Sequence, residues 1–233
     1  MKFRIDEQIF EDFDKPLIGV IVCREINNIG NDSEIDKLLR TEEANLRKKF
    51  NGVEISEHPN IAPWRQAYRK FGSKPRDYRC SGEALARIVL RGSEIRNINK
   101  LVDLYNYISI KYTLPVGAED LDKMKGDLVL GFADGTEDYT PLGKDDQDPP
   151  KKGEVIYRDD IGVICRRWNW REGDRTKITN ETKNAIVVIE SLAPIPEDLA
   201  KDALNELAEL LKKYCGGEIT TYFLDKETKE VDF

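Results

Sequence analysis

The spacing of apolar residues changes near Pro115, and this change restricts the possible folds more than any other feature. Upstream, apolar side chains recur every three or four residues. The sets are Ile35, Leu38, Leu39, Leu46 and Phe50; then Trp64, Ala67, Tyr68 and Phe71; then Leu85, Ile88 and Val89; then Leu101, Leu104, Tyr105 and Ile108. That is helical spacing. Ser33 and Ser81 stand where N-caps are expected, Gly72 and Gly92 where helices stop, and Asn97 or Asn99 opens the fourth helix. Downstream, short apolar runs at 127–132, 154–157, 161–165 and 185–190 read as strands, and Asp134-Gly135 is a tight hairpin signal between two of them. Pro196 opens a last helix carrying Leu199, Leu204, Leu207 and Leu211, which Gly216-Gly217 ends before a strand at 218–224. The first segment, to about Val22, reads as extended, with the run from Leu17 a buried strand. The pattern predicts an α+β fold with a helix-rich first half and a mostly antiparallel sheet in the second. The proline- and glycine-punctuated stretch 141–153 is a loop, read as an excursion within one domain, 1–233, with possible sub-lobes 1–125 and 126–233.

Composition narrows the function classes. The longest clearly apolar run, Leu17 to Cys23, is far short of the roughly twenty residues of a membrane helix, so no membrane partner is expected. The amino end turns charged too soon for a secretory signal. Cys23, Cys80, Cys165 and Cys215 have no metal-type spacing, so they read as reduced thiols of a cytoplasmic protein without a metal. His58 is the single histidine, and any His-based triad must use it. Net charge is −7, which argues against a general nucleic-acid coat and against DNA. Yet from Trp64 to Arg96 nine Lys/Arg face three Asp/Glu. Such a run is a solvated helix face or a basic surface for a phosphate backbone.

Four stretches could carry chemistry. In Arg166-Arg167-Trp168-Asn169-Trp170-Arg171, arginines can pair phosphates while a tryptophan stacks a base, or one tryptophan fills the core with the arginines at its rim. Cys80 at a helix start is either an activated nucleophile or a small packing residue. Asn99, Asp103 and Asn106 share one side of the fourth helix, as a polar pocket wall or as ordinary capping and surface. The small residues around Gly117 allow close backbone approach to a ligand, with Glu119 able to orient an amine or water, or they simply connect helix to strand.

The stretch Ile95 to Met124 resembles a signature of the B3/B4 editing module of the phenylalanyl-tRNA synthetase β subunit. Ile98-Asn99, Val102-Asp103, Asn106-Tyr107, Pro115, Ala118 and Asp120-Leu121-Asp122 match it without a gap. Thr182 and the strand ending at Glu190 resemble the family's T…LE segment, two residues longer. A shift of two keeps the same strand face. The segments at Trp64–Gly72 and Arg166–Arg171 are similar to those of free-standing members.

The resemblance implies a hydrolytic pocket that removes a wrongly attached amino acid from tRNA. Such a second site is needed because binding alone separates similar side chains by only ~1–3 kcal/mol per methylene. The family's pocket histidine falls on Gly117, its threonine on Tyr105 and its HAF phenylalanine on Glu119, so tyrosine specificity does not carry over. The expectation is a free-standing deacylase acting in trans on aminoacyl-tRNA, or a non-catalytic RNA- or amino-acid-binding module. Asn106, Glu119 and Glu190 would recognise substrate and position water. Asn99, Asp103, Gly117, Asn169 and Trp168 would shape the substrate pocket. Arg65, Arg69, Arg79, Arg166, Arg167 and Arg171 would hold phosphates, with Trp168 or Trp170 stacking on the terminal adenosine. No cofactor is implied, and nothing in the chain sets an oligomeric state.

Overall fold

A computed structural model describes residues 1–233. In chain order the elements are β1 (Lys2–Ile5), α1 (Glu7–Asp12), β2 (Leu17–Arg24), α2 (Ser33–Lys49), α3 (Ala62–Lys70), α4 (Ser81–Leu90), α5 (Lys100–Tyr112), β3 (Val116–Asp120), β4 (Leu128–Phe132), β5 (Val155–Arg158), β6 (Val163–Arg166), β7 (Arg171–Glu172), β8 (Ala185–Ser191), α6 (Glu197–Cys215), β9 (Glu218–Leu224) and β10 (Glu230–Asp232). The class is α+β. One sheet has the order β3-β8-β2-β9 and the other β10-β1-β4-β5-β6-β7. Every pairing is antiparallel except β1 with β4.

The run beginning at Leu17 alternates nothing polar because β2 is central, hydrogen-bonded to β8 on one side and β9 on the other. A strand covered on both faces needs apolar residues on both. On one face α6 lies against it. There Gly19 approaches so closely that a Cβ would sit 3.0 Å from Leu204 Cδ1. Helix α6 buries Ala200, Ala203, Leu204, Leu207 and Leu211, and α5 packs against it and against α2 and α4. The boundary at 125/126 does not follow the sheets: β1 joins strands from beyond it, and β8 sits between β3 and β2.

Several local expectations are corrected. Asp32, not Ser33, caps α2, its Oδ1 accepting from the Glu34 and Ile35 amides at 2.8 and 3.3 Å. Carboxylate and hydroxyl both serve as caps, so adjacent Asp and Ser left the choice open. Cys80 occupies the N-cap position of α4, with no side-chain bond, and Ser81 is already helical. Asp134-Gly135 is not a two-residue hairpin. Strands β4 and β5 do pair, but the whole of 133–154 connects them. Asp134 instead folds onto Thr136, whose amide and hydroxyl it accepts at 2.8 and 2.6 Å. The short α1 fell inside the segment read as extended.

Candidate functional site

A cavity of about 260 Å³ lies between the two sheets, just below the usual range of about 300–1,000 Å³ for ligand pockets. Its position follows from strand register. Gly117 pairs with Val188 and Glu119 with Ile186. Side chains alternate along strands, so Gly117, Glu119, Ile186, Val188 and Glu190 share the face turned away from α6. From the six-stranded sheet Tyr157, Cys165 and Glu172 face them. Tyr105 and Asn106 of α5, with Leu85 and Ile88 of α4, close one side. Val89 is buried as expected and Leu85 packs on the edge of the core, but the inward placement of Ile88 is corrected: it is 41% exposed, and Ala86 is buried in its stead.

Glu190, 1% exposed, is a hub. Its Oε1 accepts from Tyr157 Oη at 2.5 Å and Trp168 Nε1 at 2.7 Å, and its Oε2 accepts from Asn169 Nδ2 at 2.8 Å. Burial pushes its carboxyl up to about 7, against the pull of the three donors. Glu119 is held well above the ordinary carboxyl value, first by burial and then by repulsion from Glu172, with the Thr176 hydroxyl and Arg175 opposing. Its Oε2 is buried without a hydrogen-bond partner. Burial likewise raises Glu172 to about 7, with the Ala118 amide and Arg171 opposing. Glu172 belongs to no pattern visible in the sequence. It enters because Cys165 pairs with it across β6 and β7, and that pairing requires the turn between them.

That turn is built on strain. Arg167 and Trp168 adopt consecutive left-handed conformations, φ 49° and 65°, each costing on the order of 1–3 kcal/mol. The return is placement. Trp168, 1% exposed, enters the core with its ring edge-on to Trp64 and Phe13, at centroid distances of 5.1 and 4.8 Å. Asn169 is fixed between Glu190 and the Tyr68 hydroxyl, which donates to its Oδ1 at 3.0 Å.

Of the residues expected to hold substrate, Asn106, Gly117, Glu119, Trp168, Asn169 and Glu190 line this one cavity. Asn99 and Asp103 do not. Asn99 caps α5 by accepting from the Val102 amide at 3.0 Å, and Asp103 accepts from the Ile98 amide and Asn97 Nδ2 at 2.8 and 3.0 Å. Replacing Asn99 with alanine should therefore cost about 1 kcal/mol of stability, read by urea denaturation, and leave ligand affinity at the cavity unchanged.

The arginines divide. Arg166 is buried in a two-pronged pair with Glu154, at 3.0 and 2.8 Å. Arg167 is buried with its guanidinium 3.7 Å from the Tyr78 ring centroid and 4.5 Å from that of Trp170. Neither is presented to a polyanion, and Trp168 is enclosed and cannot stack on a base. Arg65 bonds Glu83 at 2.8 and 2.9 Å, and Arg79 lies 3.7 Å from the same carboxylate. Arg69 and Arg171 are exposed. Arg65 and Arg69 also line a cleft with Lys74 and Arg76 that contains no acidic residue; Lys74 and Arg76 belong to the basic run from Trp64 to Arg96, and no motif singles them out. Trp170, half-buried, remains at the cavity edge.

Cys80 is 2% exposed, and burial pushes its thiol up to about 12, the opposite of an activated nucleophile. All four cysteines are free and buried. His58 packs on Phe50 and does not line the cavity. No group of three or more His, Cys, Asp or Glu converges as a metal set, and no helix is long and apolar enough to cross a membrane.

The chain is similar in sequence to parts of known proteins. The β subunit of phenylalanine–tRNA ligase from Fusobacterium nucleatum subsp. nucleatum is 33% identical over 111 residues, covering 45% of this chain and 13% of that protein. The Thermotoga maritima β subunit is 25% identical over 171 residues, covering 63% and 21%. This chain thus spans only about an eighth to a fifth of these relatives' length. The crystal structure of an N-terminal fragment of the phenylalanyl-tRNA synthetase β subunit from Pyrococcus horikoshii aligns with TM-score 0.46 and 16% identity, over 93% of this chain and 49% of that one. The model of the B3/4 domain matches residues 63–216, most of the chain, and the protein therefore belongs to the B3/4 domain family.

Proposed function

We propose that this protein hydrolyses, in trans, the ester of a mischarged aminoacyl-tRNA. The observation carrying this reading is that Asn106, Glu119 and Glu190, drawn from three separate elements, bound one cavity of amino-acid scale. Helix α3 links that cavity to the basic cleft: Tyr68 holds Asn169, and Arg65 and Arg69 line the cleft. The names of the relatives, tRNA ligase β subunits, accord with tRNA as the partner.

The aminoacyl ester is already activated, so a positioned water and a stabilised oxyanion suffice. Glu190, with a carboxyl near 7, is the base: an ideal catalytic pKa lies near the working pH. Asn106 steadies the water. Gly117, without a side chain, lets the backbone of β3 approach the ester carbonyl. Arg69, Lys74, Arg76 and Arg171 supply the phosphate contacts, and the buried Arg166 and Arg167 do not.

Incubation with a panel of mischarged tRNAs should release amino acid from at least one. Charge reversal at both Arg69 and Arg76 should weaken tRNA binding and reduce the salt slope by about one per lost phosphate contact. Cavity affinity for small ligands should stay unchanged. A second reading, a binding module without turnover, is favoured by one feature: Glu190 already accepts from three donors. Salt-dependent tRNA binding with no release from any member of the panel would establish it.

A further inference from the structure

We propose that Glu119 and Glu172 form a receptor for an organic ammonium group at the cavity between the two sheets. This deepens the reading above by naming what the cavity binds, and it rests on the same site. Among buried carboxylates Glu119 is the exception. Glu43 and Glu83 are paired with Arg40 and Arg65, and Glu154 and Asp159 with Arg166 and Arg175. Asp103 and Asp120 accept from amides, and Glu190 from three donors. Glu119 alone is enclosed, 8% exposed, with an oxygen that makes no hydrogen bond, and the hydroxyl beside it, Thr176, is itself unpartnered. An orphaned buried acceptor is costly unless something fills it.

Glu172 faces the same space. A Cβ on Gly117 would stand 3.2 Å from its Oε1, so the missing side chain keeps that oxygen open to the cavity. Neither carboxylate is in a salt bridge. Arg175 is committed to Asp159 at 2.7 and 2.9 Å. Arg171, whose charge reaches Glu172 without a direct contact, donates to the Leu142 carbonyl at 2.9 Å. The other titratable groups lining the cavity are Tyr105, Tyr157 and Cys165, held neutral by burial, and Glu190, whose two oxygens are taken by three donors. The remaining wall is largely apolar, with Leu85, Ile88 and Val188. Two unneutralised carboxyls in an apolar recess favour a ligand with a hydrocarbon stem and a cationic head, because the attraction is strong where water is excluded. An ammonium, compact and with three donors, suits two separate acceptors better than a planar guanidinium fork does.

In an aminoacyl ester the ammonium is either the α-amino group or one on the side chain. Calorimetric titration of the full chain with norleucinamide, N-acetylnorleucinamide, lysinamide and N-acetyllysinamide separates the two. The expected result is binding of the charged amides and none of neutral N-acetylnorleucinamide. Retained affinity for N-acetyllysinamide places the side-chain ammonium at the pair, and binding of norleucinamide with loss of N-acetyllysinamide places the α-ammonium there. Ligand binding near pH 6 should also release protons, seen as a heat that varies with the buffer's ionisation enthalpy.

Glu119→Gln should weaken the charged amides about tenfold or more, the contribution of one charge-assisted hydrogen bond. Glu172→Gln should do the same, so the test survives if one variant fails to fold. Equal binding of neutral and charged amides, no binding of any, or unchanged affinity in both variants overturns the proposal. If all four amides fail while mischarged tRNA is still deacylated, the receptor is wrong and the hydrolase stands. If they bind while no tRNA is cleaved, the receptor stands and the hydrolase is wrong.

Discussion

Arg166→Ala should lower the unfolding free energy by about 3–5 kcal/mol, the usual cost of stripping one member from a buried ion pair. The guanidinium is 1% exposed, bonds Glu154 with two prongs and donates to the Asp148 carbonyl at 2.6 Å. Removing it leaves Glu154 charged and enclosed, with only Arg167 nearby at 3.4 Å. Urea denaturation measures the loss. The paired substitution Arg166→Met with Glu154→Leu should recover much of it, because the orphan charge is gone. At a temperature where Arg166→Ala is folded, tRNA affinity should equal that of the parent. An arginine that gripped phosphate would behave in the opposite way, with little loss of stability and a large loss of binding.

Glu190→Gln should slow ester release by about 10²–10⁴-fold, the range of general-base catalysis, while the fold survives. The glutamine carbonyl can take the bonds from Tyr157 and Trp168, and the Asn169 amide can rotate to present its oxygen, since the Tyr68 hydroxyl both donates and accepts. The same variant changes the pH dependence of stability. The Glu190 carboxyl titrates at about 7 in the folded chain, against an ordinary value of 4.5. Between those values the native state binds more protons than the unfolded one, so this group's contribution is full below about 4.5 and is lost as pH rises through 7. For an enclosed carboxyl the window is worth on the order of 3 kcal/mol. Glutamine has no proton to lose, so the variant's stability should vary less from pH 4.5 to 7. Glu172 shifts in the same direction and leaves a residual slope. Denaturation midpoints across that range check both points.

Periodicity made most of the secondary structure legible. Helix α6 and strand β9 lie where Pro196, the leucines and Gly216-Gly217 place them, and Asn99 caps α5. Glu190 was legible too, because a two-residue difference in loop length cannot turn a strand side chain to the other face. Other features depend on contacts between segments far apart in the chain. That Asn106 reaches the cavity while Asp103, on the same helix, is taken by Ile98 and Asn97 is decided by which side of α5 meets β3. The burial of Arg166 is decided by Glu154 across the sheet, and the exposure of Ile88 by a cavity that one helix cannot announce. Glu172 needed the left-handed pair Arg167–Trp168 before it could face Glu119. Neither residue is a type that usually adopts that conformation, so local propensity pointed elsewhere.

The central position of β2 has a consequence for synthesis. Its partner strands lie more than 160 residues later, at 185–191 and 218–224, so the emerging chain carries Leu17–Arg24 as a bare apolar segment until those strands have been made. Loop closure over such distances is slow, and an uncovered strand of this kind invites pairing with other chains. Any fragment ending before residue 185 keeps α1 to α5 but lacks α6 and leaves this segment without either neighbour, so it is expected to precipitate rather than persist as a smaller working unit.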